Sequence, residues 1–197
     1  MKPGRPRTAD GDAFRFRADR PSLDLCSTLL WRHEQPRELL TRPDDVARWL
    51  TEAGLCTTPF AVTTDDLVSA RVLREAVYRL ITARLRDAEL PTTDVDTVNT
   101  AAAHPDRAPQ ITPDGRPHWI SHRPVAEALA AVARDCIDLL TGPASGRLRE
   151  CAAPDCAFLF VDTSRPGTRR WCATNRCGNR EHVRQHRSRQ SEPRSST

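Results

Sequence analysis

Four cysteines near the C-terminal end of the chain constrain its fold more than any other feature. They form two C-x4-C pairs with fifteen residues between the pairs. Two short cysteine turns at this separation can direct four thiolates at one ion, and their tetrahedral arrangement suits zinc. Because four thiolates leave no open coordination position, the sequence predicts one structural Zn2+ bound by Cys151, Cys156, Cys172 and Cys177.

A second ligand set has to be weighed against this one. His182 and His186 are four residues apart, so on a helix both imidazoles would lie on one face. A Cys2His2 site that combined them with the first cysteine pair would have 25 residues between its pairs, about twice the usual spacing. It would also leave two cysteines unused. The four-cysteine site is therefore favoured, and the histidines are assigned to the solvated or nucleic-acid-facing side of a helix.

Positive charge is concentrated beside these cysteines. Residues 143–197 contain 11 arginines and 5 acidic residues, whereas the rest of the chain contains 19 basic and 21 acidic residues. The net charge of +4 for the whole chain therefore originates in its C-terminal quarter. An almost neutral body with a cationic end indicates a polyanionic partner.

The sequence shows no export or membrane signal. Residues 1–7 are basic without an apolar stretch after them, and no apolar run approaches the roughly 18 residues of a membrane span. Seven cysteines, an odd number, then argue against a disulfide framework. We expect a soluble cytoplasmic protein in which Cys26, Cys56 and Cys136 are buried as small hydrophobic residues.

Hydrophobic periodicity predicts a helical N-terminal domain over residues 14–142, preceded by a flexible arm at 1–13. The predicted helices begin near Ser22, Pro43, Thr64, residue 94 and Pro124. We expect the first to carry Leu29 and Leu30 on its apolar face, and Gly54 to cap the end of the second. The turn signal Pro113-Asp114-Gly115 predicts a small β-hairpin before the last helix.

Residues 143–190 are expected to form a small zinc finger after a flexible joint at 142–146. Residues 158–161 are the most strand-like run, and we expect them to pair with residues 169–171 in a hairpin. A helix is predicted from Cys177 to about Arg189. The predicted fold class is thus mainly α with a small β-hairpin, followed by a small α+β treble-clef-like zinc finger. Residues 191–197 are predicted to be a disordered tail.

The C-terminal motifs resemble those of the CGNR zinc-finger family. The matching runs are Cys151-x4-Cys156, Phe160-x-Asp162-x-Ser164-Arg165, Arg169-Arg170-Trp171-Cys172 and Cys177-Gly178-Asn179-Arg180. The N-terminal half is similar to the helical ABATE domain, which accompanies this finger in regulators of the stress response. The similar runs there are Phe14-x-Phe16, Leu23-Asp24-Leu25, Thr28-Leu29 and Trp49-Leu50-x3-Gly54-Leu55.

The sequence departs from the family pattern at two positions. Ser27 stands where the family tends to have Asn, and His182 where Lys is common. The first departure concerns any polar role at that N-terminal position, and the second removes one cationic contact at neutral pH. The resemblance as a whole implies a DNA-binding transcription regulator.

The arginines of the finger suit a nucleic acid. On a helix, Arg176, Arg180, Arg184 and Arg187 would share one face, while Arg165, Arg169 and Arg170 would come from the preceding hairpin and loop. Guanidinium groups contact phosphates and can read guanine edges, and a helix on a zinc scaffold can enter the major groove. Asn179 would either read adenine or cap the helix. We predict double-stranded DNA as the partner, which would place the protein on the nucleoid.

Other functions remain open at this stage. Phe158 and Phe160 on a strand with basic neighbours would suit single-stranded RNA, and a protein-interaction adaptor is a further alternative. Trp171 is expected to pack beside the zinc turn rather than to stack on a base. The helical domain is a candidate for effector binding or homodimerisation, with no ligand indicated. No nucleophile and base occur together, so we predict no catalytic residues and no enzymatic activity.

Overall fold

The computed structural model describes residues 13–56, 59–106 and 108–184. Most of the predicted N-terminal arm, the predicted tail, His186 and Arg187 lie outside these ranges. The N-terminal region is mainly helical, as predicted. Its helices are α1 (Pro21–Cys26), α2 (Pro43–Glu52), α3 (Thr64–Leu85), α4 (Thr92–Ala102) and α5 (Pro124–Thr141).

Three antiparallel strand pairs accompany the helices in these ranges. The pairs are β1 (Leu29–Leu30) with β2 (Arg37–Glu38), β3 (Ala108–Ile111) with β4 (Pro117–Ile120), and β5 (Leu148–Glu150) with β6 (Leu159–Val161). The β3–β4 pair confirms the hairpin predicted around Pro113-Asp114-Gly115. The mainly helical region with its small hairpin, followed by strands around a cysteine cluster, confirms the predicted fold class.

Helix α3 is the centre of the N-terminal region and contacts α1, α2, α4 and α5. A capping box fixes its start, because the Thr63 side chain accepts a hydrogen bond from the Asp66 backbone N–H while the Asp66 carboxylate accepts one from the Thr63 N–H. The apolar residues spaced along one face of α3 are buried with one exception, Leu85, which is partly buried. The buried members are Leu67, Ala70, Leu73, Val77 and Leu80.

The predicted extent of the first helix is wrong. Helix α1 is preceded by Arg20, with Pro21 in its first turn, and it ends at Cys26, so Leu29 and Leu30 lie in a strand. Ser27 and Thr28 donate side-chain hydrogen bonds to backbone carbonyls of the preceding turn. Such bonds compete with continued helix, and the Thr28 carbonyl then accepts from the Leu39 N–H to begin strand pairing.

The predicted strand partner in the finger is also wrong. Strand β6 pairs with β5, with Leu148 opposite Val161, and residues 169–171 form no strand. The first cysteine pair therefore lies in the connection between β5 and β6. Residues 169–171 instead lie beside this connection, and the Ala152 N–H donates a hydrogen bond to the Arg170 carbonyl at 2.9 Å.

The finger helix begins earlier than predicted. It starts as a π-helical turn over Thr174–Gly178, preceded by Ala173, and continues as an α-helix over residues 179–184. Asn179 consequently lies inside the helix and does not cap its N-terminus. Cys177 lies within the π-helical turn.

The finger packs onto the helical region through one continuous core. Leu148, Leu159 and Phe160 are at most 2% exposed and belong to the same apolar cluster as α1, α3 and α5. Across this boundary Glu150 accepts a hydrogen bond from the Tyr78 hydroxyl at 3.0 Å and contacts His33 Nε2 at 3.1 Å. The two regions therefore stabilise each other.

The segment predicted as a flexible joint forms a hydrogen-bonded turn. The Gly142 N–H donates to the Asp138 carbonyl at 2.8 Å, and the Arg147 N–H donates to Ala144 at 2.9 Å. A Cβ atom at position 142 would meet the Asp138 oxygen at 2.5 Å, so only glycine allows this close exit from α5.

Two further expectations can be compared with the structure. Cys26, Cys56 and Cys136 are all buried, as predicted. Within the described part of the chain, no helix has both the length and the apolar character needed to cross a membrane.

Candidate metal centre and cationic cleft

The four clustered cysteines come together as the sequence predicts. The sulfur atoms of Cys151, Cys156, Cys172 and Cys177 all lie within 4.8 Å of one another, and all four residues are buried. The Cys172 sulfur lies 3.8 Å from that of Cys156 and 3.6 Å from that of Cys177. A tetrahedron with Zn–S bonds of about 2.3 Å has edges of about 3.8 Å. The donor set therefore fits one structural Zn2+.

Backbone hydrogen bonds help to position the cysteine ligands. The Cys151 N–H donates to the Phe158 carbonyl at 2.9 Å, which closes the first cysteine turn. The Cys172 N–H points at the Cys151 sulfur at 3.4 Å and ties the second pair to the first. Because N–H groups directed at sulfur stabilise thiolate, this geometry favours the charged ligand that zinc requires.

The clustered sulfurs also shift one another's pKa values. Hydrogen bonds from the Cys156 and Cys172 thiols lower the pKa of Cys151, to about 2. The same contacts, with burial, raise the pKa of Cys156 to about 12 and raise that of Cys172. Four buried sulfurs at this distance cannot all ionise alone, since like charges repel. A divalent cation removes that conflict and allows four thiolates.

Asp162 organises the loop that returns the chain to Cys172. Its side chain is buried, and its two oxygens accept hydrogen bonds from the Ser164 N–H at 2.9 Å, the Ser164 hydroxyl at 2.6 Å and the Arg169 N–H at 2.8 Å. The bond from Ser164 is the main cause that lowers the pKa of Asp162, to about 2. Because this pKa is depressed, its stabilisation is complete above the ordinary value of about 4 and is lost as the pH falls toward 2.

Replacing Asp162 with alanine should weaken the metal site without touching a ligand. The loop would lose the acceptor that fixes Arg169, whose guanidinium donates to the Trp171 and Cys172 carbonyls. We expect zinc affinity to fall about 10- to 100-fold, as for other residues that orient metal ligands. Competition with a chromophoric chelator measures this, and the exposed neighbour variant Thr163→Ala is the matched control. Equal affinities of the two variants would contradict this role.

The run Cys177-Gly178-Asn179-Arg180 has a structural explanation at three of its four positions. Cys177 is a ligand, and buried Gly178 lies against Thr174 and the Trp171 ring. The Arg180 guanidinium pairs with Asp155 at 3.0 Å and donates to the Cys177 sulfur at 3.5 Å. Burial alone would lower the pKa of Arg180, but Asp155 and the Cys177 sulfur outweigh it and raise this pKa. Arg180 thus connects the second cysteine pair to the turn of the first.

Two family models match the chain in the order in which these regions occur. ABATE, described as "Putative stress-induced transcription regulator", matches residues 19–143, and the CGNR zinc finger matches residues 147–190. The chain belongs to the ABATE family. No curated protein matches it in sequence. Neither matching family is a family of enzymes, and the four-cysteine cluster lies inside the CGNR match, so this ABATE protein carries a structural zinc site.

The structure divides the predicted nucleic-acid-binding residues into two groups. Arg176, Asn179, Arg180 and Arg184 are exposed on the finger helix and line one cleft. The other group lies on the loop before Cys172, where Arg165 and Arg170 are exposed and Arg169 is half-buried. The Arg169 guanidinium lies 4.7 Å from the Phe160 ring and donates to two carbonyls, so it supports the metal centre. Arg187 lies outside the described residues.

The aromatic residues of the finger are not exposed as binding of single-stranded RNA would require. Phe158, which precedes β6, and Phe160, which lies in it, are 6% and 2% exposed in the shared apolar core, so neither offers a free stacking face. Trp171 packs beside the second cysteine pair, as expected. Its ring lies 5.7 Å from that of His182, which is exposed on the helix and is not part of the cysteine cluster.

The helix arginines face the N-terminal region of the ABATE protein across a cavity of about 980 Å³. We call it the cationic cleft, and its main side chains are Arg15, Arg17, Trp31, Arg176, Asn179 and Arg180. The sequence did not assign Arg15, Arg17 or Trp31 to any site. Arg15 and Arg17 alternate with Phe14 and Phe16 in the sequence, and no sequence pattern relates them or Trp31 to a helix more than 140 residues later.

Proposed function

We propose that this ABATE protein is a DNA-binding transcription regulator whose zinc finger contacts the phosphate backbone. The observation that carries the proposal is the exposed arginine set of the finger, which is Arg165, Arg170, Arg176, Arg180 and Arg184. These residues lie on the loop before Cys172 and on the helix that carries Cys177, so the metal centre would connect the two elements. The family description of a transcription regulator supports the same conclusion.

The charge distribution gives a physical reason for duplex binding. Each guanidinium that contacts a phosphate releases a counterion from the DNA. The binding affinity therefore falls as the salt concentration rises. Arg165 and Arg170 lie on the loop and Arg176 lies on the helix, so the phosphates would be contacted from two elements of one rigid finger. The protein would then act in the cytoplasm, on the nucleoid, and the helical domain would carry regulation or homodimerisation.

A salt series on the full-length, zinc-loaded protein tests the proposal. Binding to a mixed-sequence duplex should give a log–log slope near −0.9 per phosphate contacted. Arg165→Gln should reduce the magnitude of that slope by about 1 and weaken all duplexes alike. The matched control is Arg116→Gln, since Arg116 is 83% exposed but lies beside the β3–β4 hairpin. Arg180→Ala is less suitable, because Arg180 also contacts the Cys177 sulfur.

The same titration separates the alternatives. A preference for single-stranded RNA of equal length would replace DNA with RNA as the partner, although the burial of Phe158 and Phe160 disfavours this outcome. Absence of binding to either nucleic acid at low salt would contradict the proposal. The finger would then serve as a scaffold for protein partners.

A further inference from the structure

The cationic cleft has walls from both regions of the chain. Arg15, Arg17 and Trp31 come from the N-terminal region, while Arg176 and Asn179 come from the finger helix, and Phe158 and three of the clustered cysteines line the same cavity. Its volume of about 980 Å³ is at the upper end of the range for small-molecule sites. A cavity of this volume holds a small molecule but not a duplex, which would reach only the side chains that are exposed at its rim.

The N-terminal wall is held in place without a ligand. The Asp24 carboxylate accepts hydrogen bonds from the backbone N–H groups of Arg17 at 2.9 Å and Ala18 at 3.0 Å. The Ser27 hydroxyl lies 2.9 Å from the Arg15 carbonyl and shares its one proton between this oxygen and the Asp24 carbonyl at 2.7 Å. These bonds hold the backbone and leave the two arginine side chains to extend into the cleft. The site is therefore preformed on this side.

Three arginines of the cleft lack an acidic partner. Among the residues that the structure describes, no carboxylate pairs with the guanidinium of Arg15, Arg17 or Arg176. Burial lowers the pKa of Arg15 and of Arg17, and the charge of Arg176 lowers both further, while the sulfurs of the metal centre act in the opposite direction. Converging cations from two regions repel one another, and a bound anion would reverse that repulsion.

Zinc binding does not cancel the positive charge of the cleft. Zn2+ with four thiolates carries two negative charges, and Arg180 already faces it through the Cys177 sulfur. Five arginines line the cleft, and Asp155, paired with Arg180, is the one carboxylate among the lining residues that the structure describes. The cleft therefore stays cationic when the metal is bound.

The cleft also offers an aromatic and apolar surface. Trp31 lines it with a backbone φ of 49°, in the left-handed region that a bulky residue rarely adopts. The Arg15 guanidinium lies 5.8 Å from its ring. Leu29, Phe158 and Val183 add apolar lining. Strain that places an aromatic ring beside unpaired arginines is typical of a binding site.

The geometry points to a binding site for a small phosphorylated molecule that carries a planar ring, with its phosphate between Arg15, Arg17 and Arg176 and its ring beside Trp31. Arginine suits this chemistry because its guanidinium binds phosphate in a fork geometry. The ligand would join the helical region to the finger.

Occupation of the site has a regulatory consequence, which rests on the proposed function. Arg176 and Arg180 belong both to the cleft and to the arginine set proposed to contact DNA. A phosphorylated ligand would occupy part of that set, so ligand and duplex would compete. The helical domain thereby acts on the finger through the two arginines that it contributes to the shared cleft.

Calorimetry on the full-length, zinc-loaded protein tests the site directly, with AMP, inorganic phosphate and adenosine as probes. AMP should bind, phosphate should bind more weakly, and adenosine, without a charge, should show no measurable binding. Arg15→Gln and Arg176→Gln should each weaken AMP about 10- to 100-fold, the value of a charge-assisted hydrogen bond. Arg165→Gln, an exposed arginine outside the cleft, is the matched control and should bind AMP normally.

Three results would overturn the inference. One is the absence of AMP binding at millimolar concentration, and another is unchanged AMP affinity in both cleft variants. The third is loss of zinc from Arg15→Gln and Arg176→Gln, which would show that these arginines only balance the charge of the metal centre. Zinc content is therefore measured for every variant.

A competition assay separates this inference from the proposed function. AMP should raise the apparent Kd of a labelled duplex for the parent protein and have a smaller effect on Arg15→Gln. Binding of AMP without any binding of DNA would support the site and contradict the DNA proposal. Binding of DNA without any binding of AMP would overturn the site alone.

Discussion

Cys172→Ser is expected to lose stoichiometric zinc. The Cys172 sulfur lies within 3.8 Å of the sulfurs of both Cys156 and Cys177, so its removal takes away one of the four corners of the tetrahedron. A structural zinc site contributes about 10–16 kcal/mol, and one of four ligands then accounts for on the order of 3 kcal/mol, roughly a 100-fold change in affinity. Metal analysis after dialysis measures the zinc content, and chelator competition measures the affinity.

The control for this variant is another buried cysteine. Cys56→Ser keeps a donor for the Pro124 carbonyl, which the Cys56 sulfur contacts at 3.7 Å, and it should retain one zinc per chain. Full zinc content together with an unchanged zinc affinity in Cys172→Ser would contradict the four-cysteine site. The two variants together separate loss of a ligand from loss of a buried thiol.

Phe160→Ala is expected to destabilise the helical region and the metal centre together. Phe160 is 2% exposed in the core shared with α1, α3 and α5, and its ring also lies under the Arg169 guanidinium at 4.7 Å. Truncation of a buried phenylalanine costs about 3–5 kcal/mol. Urea unfolding followed both by helical circular dichroism and by zinc release should show two coincident transitions, both shifted to lower urea.

The control is an apolar residue that the fold leaves exposed. Ile111 is 78% exposed on β3, and Ile111→Ala should change the free energy of unfolding by less than about 0.5 kcal/mol. An unchanged helical transition in Phe160→Ala, with zinc release alone affected, would contradict the shared core. The finger would then be an independently stable unit.

The sequence predicted those elements whose signals are local. The helix that begins at Thr64 follows from its capping residue, the helix that begins at Pro124 follows from the proline in its first turn, and both follow from apolar residues spaced along one face. The extent of α1 was missed because Ser27 and Thr28 end the helix by bonding to the preceding turn, while the apolar spacing continues to Leu30. The strand that pairs with β6 was not predicted correctly, because this pairing depends on which segment the tertiary fold brings beside β6.

The metal site was predictable from sequence, and the cationic cleft was not. Two short cysteine turns at this separation suit one tetrahedral ion, while the odd cysteine count and the long spacing to the histidines disfavoured the alternatives, so the sequence predicted the ligand set Cys151, Cys156, Cys172 and Cys177. The cleft depends on where the finger helix lies relative to Arg15 and Arg17. That placement is decided by the burial of Leu148, Leu159 and Phe160 against the helical region. Only the tertiary structure brings these distant charges together, because apolar burial fixes the orientation without any pattern that links the two segments.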